Sequence, residues 1–284
     1  MRLPCLFTLA VLCLANRGGA AVWFRLQPES CLPGSTVVAW FHDSGTPRDP
    51  CLRGLGQKAR FYRTGPAADD YWALLAVPLG AAGRRPRVSV AWREDGRSRD
   101  LELGLRVGAS RKGEREIRVP GLARHLLGPL VKESRGLEAL YQVREADGRP
   151  RWHGLFLLPV QGPVSSPFGV LGIYNGGAAR WWHRGVDLAA PRGTLVRAAN
   201  QGRVKFAGFL KAYGGAVVLD HGDGLRTCYF HLSRILVEKG QVLKKGQPLG
   251  KVGSLGIATG PHLHWQMMLN GFAVNPLQWV SGSR

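Results

Sequence analysis

The fold is decided by the segment Thr259-Gly260-Pro261-His262-Leu263-His264-Trp265, which runs on to Leu269. In a β-strand successive side chains point to opposite faces, so His262 and His264 share one face and Leu263 points into the core. The sequence therefore predicts a strand over His262–Leu269 that carries two neighbouring imidazoles. This pattern alone is weak evidence for a metal, because alternating histidines also line ordinary polar strands.

Two further segments strengthen the case for a metal site. The first is His183-Arg184-Gly185-Val186-Asp187, where Gly185 disfavours a helix and predicts an extended or turning backbone. The second is Tyr229–Ser233, which contains His231. Two imidazoles and one carboxylate are a common catalytic zinc set, and two additional histidines can move the proton of a water and stabilise an oxyanion.

These motifs resemble the zinc-dependent lysostaphin-type (LytM-like) peptidases of bacterial cell walls, family M23, over about residues 155–280. The resemblance implies that His183, Asp187 and His264 hold one Zn²⁺ ion. It also implies that His231 and His262 form the catalytic pair and that Tyr174 binds substrate near the cleft. The matching segments are Ser165–Gly169, Tyr174–Gly177, His183–Pro191, Tyr213–Gly215, Asp220–Gly224, Thr227–Ser233, Gly240–Val242, Lys245–Gln247, Thr259–Trp265 and Val274–Pro276.

The resemblance implies hydrolysis of peptide bonds in peptidoglycan stems or cross-bridges. An alternative is a non-catalytic wall-binding regulator of other hydrolases, which is less favoured because no ligand is missing. One departure concerns the groove: the family often has an arginine shortly after Phe-Gly, where this chain has Val170–Ile173. Some relatives block their zinc with an upstream Asn. Residues 22–150 of this chain contain no Asn, so a block of that kind is not expected here.

The N-terminus predicts export. Arg2 precedes the uncharged run Leu3–Ala15, which is shorter than the ~20 residues that span a bilayer. Residues 1–20 are therefore predicted to be a signal peptide, with an uncleaved membrane anchor as the alternative. The mature chain is expected to lack a transmembrane span and to be periplasmic or extracellular, associated with the wall.

The chain has 284 residues and a formal net charge of +20, shared by both halves. Such a charge predicts an anionic partner. Export favours peptidoglycan over nucleic acid, and no nucleic-acid motif is present.

The predicted fold is mostly β. Residues 22–120 contain short strands such as Val37–Phe41 and Val88–Trp92, which predict a small, immunoglobulin-like β-sandwich. Residues 121–150 are predicted to be a linker with short helices, one of them over Gly136–Ala146. Residues 151–284 are predicted to form an antiparallel β-sheet peptidase domain.

The cysteines fit an exported protein. Cys31 and Cys51 are predicted to form a disulfide, with two free thiols as the alternative. Cys228, in an apolar strand pattern, is expected to be buried and inert. The remaining histidines are expected to be structural or surface residues, and Trp181 and Trp182 to form either a groove wall or ordinary packing.

Overall fold

The computed structural model describes residues 12–15, 21–45, 47–65, 68–109, 113–118, 124–142, 149–177 and 179–280. The chain divides into two compact units, which we call the N-terminal unit (to Ser110) and the C-terminal unit (from Arg111). Over these ranges the protein is mostly β with one α-helix, as predicted. No helix in these ranges is both long enough and apolar enough to cross a membrane.

The N-terminal unit consists of small sheets. A five-stranded sheet has the order β1-β2-β4-β8-β7, a four-stranded sheet the order β10-β9-β5-β6, and β11 pairs with β3. The strands are β1 (Leu12–Ala15), β2 (Ala21–Gln27), β3 (Ser30–Cys31), β4 (Thr36–Asp43), β5 (Arg48–Gly54), β6 (Gln57–Arg60), β7 (Tyr62–Arg63), β8 (Asp70–Ala76), β9 (Arg87–Glu94), β10 (Arg97–Gly104) and β11 (Arg106–Val107).

One apolar core joins the two larger sheets of this unit. Phe41 of β4 packs on Trp92 of β9 with ring centroids 4.9 Å apart, and both side chains are buried. In β4 and β9 buried residues alternate with residues that are partly or fully exposed, so each sheet turns one face to this core and the other away from it. That these sheets form an immunoglobulin-like sandwich stays a prediction.

The C-terminal unit is dominated by one antiparallel sheet of ten strands, whose longest path is β13-β16-β23-β20-β19-β18-β21. A separate sheet has the order β12-β14-β15, with β12 parallel to β14. The elements are β12 (Glu114–Ile117), α1 (Arg124–Gln142), β13 (Val164–Ser166), β14 (Leu171–Tyr174), β15 (Ala179–Trp182), β16 (Gly185–Ala189), β17 (Leu195–Arg197), β18 (Gly202–Leu210), β19 (Gly214–Asp220), β20 (Leu225–Ile235), β21 (Val242–Leu243), β22 (Pro248–Val252), β23 (His262–Leu269) and β24 (Phe272–Val274).

The helix differs from its prediction. It runs from Arg124 to Gln142, twelve residues earlier than the predicted start, and it contains Pro129. Contacts within the C-terminal unit stabilise the added turns, since the Glu133 carboxylate accepts hydrogen bonds from two backbone amides at 2.7 and 2.8 Å. Leu137 and Tyr141 lie on one buried face of the helix. The helix was also predicted to continue to Ala146, but residues 143–146 are not among those that the structure describes.

The predicted disulfide is wrong. Cys31 and Cys51 are free thiols that belong to different sheets, β3 with β11 and β5 with β9 and β6. Their Sγ atoms each approach a backbone carbonyl instead, Cys31 that of Arg106 and Cys51 that of Leu52. Cys228 is free and fully buried, as expected.

The predicted signal peptide lies mostly outside the described residues. Its segment Leu12–Ala15 forms β1 and pairs with Ala21–Phe24 of β2. Whether residues 1–20 are removed stays a prediction.

Candidate metal centre

Two adjacent strands place the central ligands opposite each other. In the pairing of β16 with β23, Asp187 lies directly across from His264, and Ala189 across from His262. Because residues opposite each other on antiparallel strands share a face, the carboxylate and the imidazole of His264 meet above the sheet. Side chains of β23 alternate between the two faces, as predicted from the sequence. His262 therefore lies on the same face as His264, and Leu263 is fully buried on the other.

His183 completes the group from the segment just before β16. Its Nε2 lies 3.0 Å from Asp187 Oδ1 and 3.0 Å from His264 Nδ1, and His264 Nδ1 lies 2.8 Å from Asp187 Oδ1. The three side chains are half-buried and together form a group able to hold a metal ion. The predicted ligand set is therefore brought together by the fold.

Gly185 creates the space in which His264 sits. A Cβ atom at this position would lie 2.8 Å from His264 Nε2 and 2.5 Å from the Trp265 carbonyl oxygen. The sequence identified Gly185 only as unfavourable for a helix. The structure shows that only a residue without a side chain allows the His264 ring to lie against β16.

One backbone carbonyl and one hydroxyl fix the orientation of His183. Its Nδ1 donates to the Pro167 carbonyl at 2.9 Å, and the Ser166 hydroxyl lies 3.3 Å from the same nitrogen. A carbonyl only accepts, so Nδ1 carries the proton and Nε2 presents its lone pair to Asp187 and His264. Ser166 and Pro167 belong to a matching motif segment, yet their supporting role emerges only from the folded chain.

The donor set fits a cation. His183 Nε2 and the Asp187 carboxylate are both acceptors, and acceptors 3.0 Å apart need a positive charge between them. Burial raises the pKa of Asp187, but the close approach of the His183 and His264 imidazoles outweighs it and holds the pKa well below its ordinary value. A tetrahedral zinc with bonds of ~2.0–2.1 Å separates its ligand atoms by roughly 3.3 Å. The observed separations are close to this value.

His231 and His262 lie beside the three ligands. Their ring centroids are 4.9 Å apart, and His262 Nε2 lies 3.7 Å from Asp187 Oδ1. Each Nδ1 faces a backbone carbonyl at 2.8 Å, that of Leu255 for His231 and that of Gly260 for His262. Both rings are therefore held with Nε2 free of the backbone. Burial lowers the pKa of His231 to about 3, so this imidazole is neutral at pH 7.

A cavity of about 870 Å³ opens over these side chains. Tyr174 lines it from β14, half-buried and stacked on Trp181 with ring centroids 4.1 Å apart. Trp182 also lines the cavity and is 38% exposed. The structure thus places the tyrosine and both tryptophans on a wall of the cavity that holds the histidines.

Arginines form another part of this cavity's lining, which was not predicted from the sequence. Arg184 pairs with Glu138 of α1 at 3.0 Å and Arg180 pairs with Glu114 at 2.6 Å. Arg115 of β12, opposite Gly172 of β14, instead donates to the neutral Ser165 carbonyl at 3.0 Å. β14, the strand that follows Phe-Gly, lacks an arginine. The neighbouring strand β12 places Arg115 next to it.

Three other histidines, His42, His153 and His221, lie apart from this group, as expected. His221 is fully buried, with Nδ1 2.6 Å from the Gln201 carbonyl and Nε2 2.7 Å from the Thr227 hydroxyl. His42 bonds Asp70 in the N-terminal unit, and His153 is exposed. The side chain of His125 lies outside the description.

Comparison with known proteins agrees with this geometry. Residues 182–276 match the model described as Peptidase family M23. The C-terminal unit carries a peptidase family M23 domain. The candidate site residues His183, Asp187, His231, His262 and His264 all fall inside the matched residues, and the family resemblance drawn from the sequence is confirmed.

Two curated proteins are similar to this chain across the M23 domain. DD-carboxypeptidase/endopeptidase Mpg of Neisseria meningitidis serogroup B is 43% identical over 119 residues, which is 40% of this chain and 26% of that protein. Murein hydrolase activator EnvC of Escherichia coli K12 is 37% identical over 133 residues, 47% of this chain and 30% of that protein. The chain thus spans only about a quarter to a third of the length of either relative.

A solved structure extends the likeness beyond the M23 domain. A Pseudomonas aeruginosa protein assigned to peptidase M23 has a TM-score of 0.65 and 28% identity, covering 89% of this chain and 95% of that one. The match therefore includes N-terminal sheets as well as the large C-terminal sheet.

Proposed function

We propose that this protein is an exported zinc metalloendopeptidase that hydrolyses peptide bonds in peptidoglycan stems or cross-bridges. The observation that carries the proposal is the convergence of His183 Nε2, Asp187 Oδ1 and His264 Nδ1 to within 3.0 Å of one another, with two more imidazoles alongside. The similarity to the DD-carboxypeptidase/endopeptidase Mpg supports hydrolysis of peptide bonds.

His183, Asp187 and His264 would hold the zinc ion. When bound there, zinc would acidify a water molecule and polarise the scissile carbonyl. His231, neutral and with Nε2 free, is suited to take a proton from the attacking water. His262 is suited to stabilise the developing oxyanion and to pass a proton to the leaving amine. Tyr174 would contact the substrate from the cavity wall.

The basic lining of the cavity fits a peptide that carries free carboxylates. A guanidinium binds a carboxylate through two parallel hydrogen bonds, and the strength of such a contact rises where water is partly excluded. Among the described residues Arg115 contacts no carboxylate, and it is anchored on Ser165, one residue from the Ser166 hydroxyl beside His183. We propose that Arg115 contributes to substrate binding.

A regulator that activates other hydrolases is the second candidate. The similarity to an activator of murein hydrolases shows that sequence likeness in this domain is compatible with that function. The complete set of metal ligands and flanking histidines favours catalysis instead, because a purely adhesive groove has no need for five such side chains.

The test combines metal content with release of muropeptides from purified peptidoglycan. His183→Ala is expected to lose zinc and activity, whereas His262→Ala is expected to keep zinc and lose activity. His153→Ala, which removes an exposed imidazole away from the cavity, serves as the matched control and should behave as wild type. Activity that survives a chelator and both active-site variants would refute catalysis and favour the regulator.

Mass analysis of the released fragments identifies the scissile bond. N-terminal sequencing of the exported protein tests the predicted removal of residues 1–20. Both measurements address proposals that rest on the sequence resemblance rather than on the geometry of the site.

A further inference from the structure

The outer side of the four-stranded sheet in the N-terminal unit is strongly basic. Its inner side supplies Leu52, Val90, Trp92 and Leu101 to the core. The alternate positions of the same strands are turned away from the core. We call this outer side the basic face; its cationic residues are Arg48, Arg53, Lys58, Arg60, Arg87 and Arg93, all exposed.

The strand register sets like charges directly opposite each other on the basic face. Arg53 of β5 lies across from Lys58 of β6, and Arg48 of β5 lies across from Arg93 of β9. Directly opposed like charges destabilise a sheet. Folding of the N-terminal unit therefore gains nothing from this arrangement, and a polar uncharged residue at any of these positions would serve the sheet better.

Acidic side chains compensate only part of this charge. Glu102 pairs with Arg87 at 2.7 Å, Asp100 lies opposite Ala91, and Asp49 occupies the bulge of β5. Among the described residues, no ion pair joins Arg48, Arg53, Arg60 or Arg93 to a carboxylate. The basic face thus keeps an excess of positive charge on an open and continuous surface.

We propose that the basic face docks the enzyme on peptidoglycan by binding the free carboxylates of its stem peptides. The proposal rests on the proposed function, which makes peptidoglycan the polymer that the C-terminal unit cuts. Charge complementarity carries it: arginine side chains about one strand spacing apart, ~4.8 Å, match a repeating array of carboxylates rather than a single small anion. Docking by the N-terminal unit would keep the M23 domain close to its substrate between cleavage events.

The experiment measures cosedimentation of the full chain with insoluble peptidoglycan, using the His183→Ala background so that the polymer stays intact. The test variant is Arg48→Gln, Arg53→Gln and Arg93→Gln together. The matched control removes three exposed arginines of the N-terminal unit that lie off the basic face, by Arg84→Gln, Arg85→Gln and Arg106→Gln. Both variants lower the net charge equally, so a difference between them reports position rather than total charge.

The test variant is expected to bind roughly tenfold more weakly at low salt, from the loss of three exposed ion pairs. The control variant should bind within about twofold of the parent by the same reasoning, and salt should weaken the binding of both. Amidation of the wall carboxylates should abolish the difference. Because the substitutions relieve like-charge pairs, the melting temperature should not fall.

Equal binding by the two variants would overturn the proposal, as would undiminished binding to amidated peptidoglycan. Preferential binding of the basic face to duplex DNA, or to vesicles rich in phosphatidylglycerol, would assign it to phosphate and also overturn the proposal. Cleavage of a soluble cross-linked peptide, measured with the triple variant and an intact His183, should equal wild type. If wild type itself fails to cleave that peptide, the proposed function fails while the binding result stands separately.

Discussion

Gly185→Ala adds one methyl group at the point where the candidate metal ligands are most closely packed. The new Cβ would lie 2.5 Å from the Trp265 carbonyl oxygen and 2.8 Å from His264 Nε2. The carbonyl belongs to the backbone of β23 in the middle of the sheet and cannot easily move. The His264 ring is therefore expected to give way, which carries its Nδ1 away from Asp187 and His183.

The size of the effect follows from these distances. An ordinary contact needs a separation of about 3.4 Å, so the ring and strand must shift by roughly 0.5–1 Å in total. A misplacement of ~1 Å in an active site can cost about 100-fold in rate, and disturbed ligand orientation costs ~10–100-fold in metal affinity. We expect both losses in Gly185→Ala.

The measurements are zinc affinity by chelator competition and kcat/KM on a soluble cross-linked peptide. Gly136→Ala adds the same methyl group on the exposed side of α1, where nothing lies within 4 Å, and it should retain both properties. Circular dichroism verifies that Gly185→Ala is folded. A folded Gly185→Ala protein with wild-type affinity and turnover would refute the steric account of the site.

Three further outcomes are expected. Arg115→Gln should raise KM for a carboxylate-bearing peptide by roughly three- to tenfold with kcat little changed, and it should have no effect on the amidated peptide. Arg197→Gln, which loses a similar bond to a backbone carbonyl outside the cavity, is the control. Burial lowers the pKa of His221 from 6.5 to about 4, so the unfolded chain takes up a proton first as the pH falls. His221 should therefore contribute a loss of about 3 kcal/mol of stability between pH 6.5 and 4. Thermal melts of His221→Gln should lack this contribution and keep the one from His231. Because Cys31 and Cys51 are free, a reductant should leave the melting temperature unchanged, whereas a shift of several degrees would reveal a bridge.

Features encoded by neighbouring residues were predictable from the sequence. The bounds of β23 match their prediction at both ends, because a two-residue alternation is a local property of the chain. The candidate ligands His183, Asp187 and His264 were identified from sequence motifs, which indicate chemistry without coordinates. The helix was predicted only in part, since Pro129 argues against its first turns and contacts made by Glu133 outweigh that preference.

The tertiary structure decided what depends on distant residues. The register of β16 against β23, rather than the spacing of the residues, sets Asp187 opposite His264. The fold also places Arg115 in the cavity lining, where it donates a hydrogen bond to the carbonyl of Ser165, 50 residues later in the sequence. The disulfide between Cys31 and Cys51 was wrongly predicted from their closeness in sequence, because the two residues lie in different sheets. The physical reason is common to all three: strand pairing is a long-range choice made by burying apolar surface, and a one-residue shift in register would turn every side chain to the other face.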